Sequence, residues 1–182
     1  PDQFQSFTEY QRLVDQFVSA GLIEDASKLW WDIRPSCHYP TLEMRVADVC
    51  TRFEDAITVA ALYACLLRML YRLRLSNQRW RIYPSALIQE NRWLAMRYGV
   101  GGQLVDFGKG AQTDFADLID ELVELVAEDA EALDCVAEIE HARTIVRRGT
   151  SADMQKQVFA DRQAAGDDRA TAFRAVVDRL IE

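Results

Sequence analysis

The sequence predicts an α+β fold, mostly helical with a few antiparallel strands, on three observations. Two short runs with strand-like spacing, Ala26–Arg34 and Thr41–Val49, lie close together and are joined by a turn bracketed by prolines. Beyond residue 50, apolar residues recur at intervals of three and four over long segments, as amphipathic helices require. One further extended piece, Gln103–Phe107, is set into that helical stretch between glycines.

Taken in order, Ser6 followed by Glu9 has the form of a helix start, and Gly21 closes that first helix after about Ala20. Ala26–Arg34 reads as a strand ended by Pro35, and Trp30 and Trp31 then face opposite sides, so at most one is core. Ser36-Cys37-His38-Tyr39-Pro40 connects it to the second strand. From Arg52 to about Leu75, Phe53, Ile57, Ala60, Ala61, Ala64, Leu67 and Tyr71 keep helical spacing, and the alanines suit close packing on a sheet or a partner helix. Ser76–Arg79 breaks this element. Pro84 starts the next helix, which runs to Tyr98 and meets Gly99, Gly101 and Gly102. Gly108-Lys109-Gly110 is a turn, too short for a phosphate loop. Thr113 is the expected cap of a helix through Glu128, with a solvated Asp/Glu face opposite Leu118, Ile119, Leu122, Val123 and Leu125. Helices over Ala130–Arg148, Ser151–Ala165 and Asp168–Glu182 complete the chain.

Composition narrows the function. The 182 residues suit one domain or part of a larger one, and 49% hydrophobic content supports a sizeable core. A net charge of −8 argues against non-specific nucleic-acid binding. The most apolar run, Ala56–Leu70, is interrupted by Thr58 and Arg68 and reads as a buried helix, not a membrane span. Four cysteines without metal or C-x-x-C spacing fit a reducing cytoplasm, with Cys50 and Cys65 expected to be buried and Cys37 accessible.

The chemistry concentrates on the first two strands. In T-L-E-M-R-V, Glu43 and Arg45 are two apart and so share one face, while Leu42, Met44 and Val46 form the other, apolar face. Arg34 and His38 join them on one hairpin-like unit. A carboxylate suits a divalent metal, and guanidinium groups suit phosphate or carboxylate, so this set fits a polyanion carried with its metal. The same residues also fit plain ion pairing, Glu43 with Arg45 or Arg34, or Arg34 with Asp32 or Asp48. Arg97, on the third helix, is a candidate for the same site or an ordinary surface residue. His141, near Glu138 and Arg143, reads as structural.

The run D-I-R-P-S-C-H-Y-P-T-L-E-M-R-V-A-D-V-C resembles the bacterial carboxylate–amine ligases related to glutamate–cysteine ligase type 2. So do the helix Arg52–Arg74, the segment Glu90–Gly99, His141-Ala142-Arg143 and Gly149–Asp153. The resemblance implies a glutamine-synthetase-like catalytic domain of which residues 1–182 are the C-terminal half. It implies ATP-dependent activation of an amino-acid carboxylate as an acyl phosphate, which an amine then displaces, with ATP and Mg²⁺ as cofactors. On this reading Glu43 is the metal ligand and Arg45 and Arg34 are catalytic. Arg34, Arg45, His38 and Arg97 then contact the nucleotide. The expected partners are the N-terminal half, which carries the other metal ligands, and further copies in a homo-oligomer, with no nucleic acid and no membrane. The chain by itself is expected to lack activity. The other reading is a non-catalytic helical interaction module, in which the strand charges only pair with one another.

Overall fold

The computed structural model describes residues 3–181, and the chain divides between Val49 and Cys50 into two compact units. In the first, helix α1 (Phe7–Ser19) begins as expected: the Ser6 hydroxyl accepts the Glu9 N–H at 3.2 Å, and the Glu9 carboxylate accepts the Gln5 N–H at 2.7 Å. Gly21, at φ +70°, ends it. Tyr10 and Val14 of α1 are buried with Ala26 and Leu29, and Phe4, Phe17, Ile23 and Trp31 pack against them. Trp31 stacks on Phe4 at 5.8 Å, whereas Trp30 is 82% exposed.

The two strands are shorter than their spacing suggested. Asp25 accepts the Ser27 N–H at 2.7 Å and starts a 3₁₀ turn, Ala26–Lys28, in place of the expected strand start. Strand β1 is therefore Ile33–Pro35 and β2 is Leu42–Met44. Beyond Met44 the Arg45 and Val46 N–H groups both turn to the Asp32 carbonyl, at 2.7 and 3.2 Å, which ends the ladder. The strands pair antiparallel with Ile33 opposite Met44, Arg34 opposite Glu43 and Pro35 opposite Leu42.

The second unit comprises α2 (Phe53–Leu75), α3 (Ser85–Tyr98), β3 (Gln103–Asp106), β4 (Ala111–Asp114), α4 (Phe115–Leu125), α5 (Ala127–Ala132), α6 (Val136–Arg148), α7 (Ser151–Ala164) and α8 (Arg169–Ile181). The expected end of the last helix at Glu182 lies outside the described residues. The core is Cys65, Met69, Val123, Val126, Ala130, Ile139 and Ala142, where α2, α4, α5 and α6 meet. Strand β4 replaces the expected helix cap at Thr113. The Asp106 carboxylate accepts the Gly108 and Lys109 N–H groups, Gly110 adopts φ +69°, and the tight turn sends the chain back beside β3. The helices expected through Glu128 and from Ala130 become three. The chain bends at Val126 and again at Leu133–Cys135, where Asp134 takes φ +53°, and these bends leave Asp129 fully buried.

Helix α2 corrects the reading of Ala56–Leu70 as a buried helix that is not a membrane span. Its 23 residues are long and apolar enough to cross a membrane by length and composition, although Thr58 and Arg68 lie within it. Four of its residues are buried, Asp55, Thr58, Cys65 and Met69.

Candidate functional site

The β1–β2 hairpin brings three of the predicted residues onto one oxygen atom. Arg34 and Glu43 are directly opposite across the ladder, and Arg45 is two residues beyond Glu43. Glu43 Oε2 accepts from Arg34 Nε at 2.9 Å and lies 2.9 Å from Arg34 Nη2; Arg45 Nε donates to the same oxygen at 3.2 Å. Arg34 Nη1 donates to the carbonyls of Ser27 and of Leu29, the latter at 2.9 Å. Arg34 is only 5% exposed, with most of its donor capacity committed to Glu43 and to the chain around the 3₁₀ turn. Arg45 is the open guanidinium of the pair, with its side chain 44% exposed and lying 5.9 Å from the Trp30 ring centre. Hydrogen bonding from Arg34, and then from Arg45, holds the Glu43 carboxyl below the usual carboxylate range against partial burial, so it is ionised.

The trio therefore carries two fixed positive charges and one negative charge, a net of +1. Such a cluster favours an anion over a free cation. Among the described residues no group of three or more His, Cys, Asp or Glu side chains is placed to hold a metal, so Glu43 offers one carboxylate. Mg²⁺ is commonly held by one or two carboxylates while it keeps waters and phosphate oxygens. The donor set thus fits a magnesium ion delivered with a polyphosphate and does not fit a bare ion.

The apolar side of the hairpin departs from expectation. Leu42 and Val46, predicted as the covered face, are 47% and 54% exposed, and the buried side is the one that carries Arg34. His38 is exposed in the turn, with its backbone N–H on Ser36 Oγ at 3.3 Å and its ring 6.5 Å from that of Tyr39. Arg97 lies in the second unit, exposed near the end of α3 and 5.9 Å from the Tyr98 ring centre.

Sequence reasoning missed two polar hubs in the second unit. Asp55, on the first turn of α2, accepts from Arg148 and lies 3.0 Å from His141 Nε2. Burial pushes its carboxyl up, but the bonds from Arg148 and His141 outweigh that and hold it below the usual range. Asp129 is engaged by Arg68 and, at 3.0 Å, by Arg72 Nη2, and the Arg72 bond holds its carboxyl low despite burial. The structural role expected for His141 fits its pairing with Asp55. The available signal was the charge of Asp55, Arg68 and Arg72 on a helix that is apolar between Ala56 and Leu67 apart from Thr58.

Comparison with known proteins adds a family. The model of "Glutamate-cysteine ligase family 2" matches residues 1–174. The chain is 64% identical over its whole length to a protein of Rhodospirillum rubrum named "Putative glutamate–cysteine ligase 2", of which it covers 46%. Proteins of the same name from a Jannaschia species and from Ruegeria pomeroyi are 51% and 47% identical, with 48% and 47% of their length covered. The chain spans about half the length of the curated relatives it matches.

Proposed function

Because the chain belongs to glutamate–cysteine ligase family 2, we propose that it forms part of an ATP-dependent carboxylate–amine ligase, with glutamate as the carboxylate and cysteine as the amine. The observation that carries this reading is the convergence of Arg34 and Arg45 on one oxygen of Glu43, a +1 cluster on the β1–β2 hairpin. In the proposed reaction a substrate carboxylate oxygen attacks the γ-phosphorus of ATP and ADP leaves. The amine nitrogen then attacks the acyl phosphate, phosphate departs, and the amine loses a proton.

Each residue has a distinct part in this proposal. Glu43 supplies one oxygen to the magnesium that accompanies the nucleotide. Arg45, the open guanidinium, meets the transferring phosphoryl group, for which its planar fork is better suited than an ammonium. Arg34 fixes the Glu43 carboxylate and adds its charge to the field at the phosphates. His38, exposed in the hairpin turn, is a further proposed contact of the nucleotide. The remaining metal ligands come from the half of the family's length that this chain does not span, so the chain alone is inactive. A homo-oligomer in the reducing cytoplasm completes the proposal, and the four free cysteines suit that compartment.

The test is reconstitution. The chain is mixed with the portion of the Rhodospirillum rubrum relative that it does not cover, and ADP release is measured with Mg·ATP, glutamate and cysteine. Turnover that needs both halves and both amino acids supports the proposal. A folded complex that releases no ADP with these or other amino-acid pairs refutes it.

A further inference from the structure

Helix α2 has two opposite faces. Asp55, Thr58, Cys65 and Met69 are buried, and this side joins α5 and α6 through the core and through the Asp129 and Asp55 networks. The other side carries Phe53, Ile57, Ala60, Ala64, Leu67 and Tyr71, spaced by alternate fours and threes along one stripe. This is the apolar pattern that the sequence marks as inward-facing, yet Phe53 is 75%, Ile57 38% and Tyr71 64% exposed, Ala60 and Ala64 are open, and Leu67 is half-buried. From Phe53 to Tyr71 the stripe runs roughly 27 Å along the helix. It is bulky at both ends and small in the middle, and no charged residue lies on it.

A continuous apolar strip of this size marks an interaction surface. Two findings support one occupant. The relatives are about twice as long as this chain, so a comparable length of family sequence is available to pack against it. The stripe is apolar throughout, so its partner is recognised by packing and not by charge. The opposite side of α2 holds Asp55, Arg68 and Arg72 in ion pairs with neighbouring helices, which ties the helix into its unit and sets it against a lipid environment.

We propose that the Phe53–Tyr71 stripe of α2 is the docking surface for the half of the family's chain that is not represented here. An apolar element of that half lies along α2 and approaches most closely at Ala60 and Ala64. This rests on the reading above that the two halves work together, and it assigns the surface through which they join.

The experiment co-expresses the chain with the uncovered portion of the Rhodospirillum rubrum relative and follows association by affinity capture and sedimentation. The double variant Ala60→Glu, Ala64→Glu is compared with Ala170→Glu, a single change of the same kind at an exposed position of α8. Wild type and Ala170→Glu should associate, and the double variant should lose at least about tenfold in affinity. Its circular dichroism and melting temperature alone should match wild type, because both positions face solvent. Association of the double variant at wild-type strength overturns the assigned surface while the two-half reading stands. No association of the wild type overturns both. A wild-type self-dimer that the double variant breaks, or capture of the chain by lipid vesicles through α2, also overturns the proposal by naming another occupant.

Discussion

Replacing Glu43 with glutamine in the reconstituted pair separates chemistry from architecture. Glutamine keeps the volume and one carbonyl oxygen that can still accept the Arg34 Nε–H now 2.9 Å from Oε2. It removes the negative charge, so the cluster changes from +1 to +2. It also replaces one carboxylate oxygen by an amide nitrogen, which cannot ligate magnesium. Loss of one preorganised electrostatic contact lowers turnover by about 100- to 1,000-fold. Stability falls as well, because Arg34 is 5% exposed and loses its anionic partner, although it keeps its bonds to the Ser27 and Leu29 carbonyls. A melting curve alone therefore decides nothing. The deciding measurement is Mg·ATP turnover per folded molecule, with the folded fraction taken from circular dichroism on the same sample. If turnover per folded Glu43→Gln molecule stays near wild type while the melting temperature drops, Glu43 is an architectural partner of Arg34, and the site assignment is wrong.

Three further outcomes follow from the same geometry. Arg45→Lys should leave the melting temperature nearly unchanged, since Arg45 is open, yet should lower turnover, because a point charge cannot reproduce the fork; parallel kinetics and melting check this. Asp129→Asn should lower the melting temperature by about 5–10 °C, from roughly 1.5–3 kcal/mol lost in charge-assisted bonds to Arg68 and Arg72, as read by circular dichroism. The carboxyls of Glu43, Asp55, Asp129 and Asp153 are all held below the usual range in the folded chain. Their stabilisation is present above the unfolded values, near 4, and is lost as pH falls through the lower folded values. The melting temperature should thus be level between about pH 7 and pH 5 and fall below about pH 4, less steeply in Asp129→Asn.

Local signals in the sequence located most elements. The Ser6 and Glu9 start of α1, the Gly21 stop, the span of α2 and the glycine end of α3 each depend on neighbours within a turn or two, and each lies where its residues suggest. The misses depend on distant partners. Asp25 redirects the first strand by a bond to Ser27 that competes with extension. β4 forms because Asp106 and Gly110 close a turn beside β3, whereas Thr113 alone resembles a helix cap. The bends on either side of α5 accompany the burial of Asp129 against two arginines of α2, a pairing 57 and 61 residues apart that no periodicity encodes.

Periodicity also says that a face will be covered without saying by what. In the first unit Leu42 and Val46, and in the second Ile57 and Tyr71, carry the inward pattern and remain exposed, while the charged Arg34, Asp55 and Asp129 are buried. The candidate site has the same character. Residue types alone made Arg34 and Arg45 equivalent, because spacing cannot show which donors are already committed. The structure separates them: Arg34 is occupied by Glu43 and two carbonyls, and Arg45 shares the same carboxylate oxygen from the solvent side. In the proposed reaction an incoming phosphate therefore meets Arg45 first and reaches Glu43 only through the metal it carries. A free divalent cation approaching the same carboxylate would face two guanidinium groups, and this repulsion supports the proposal that Glu43 meets its metal only together with a polyanion.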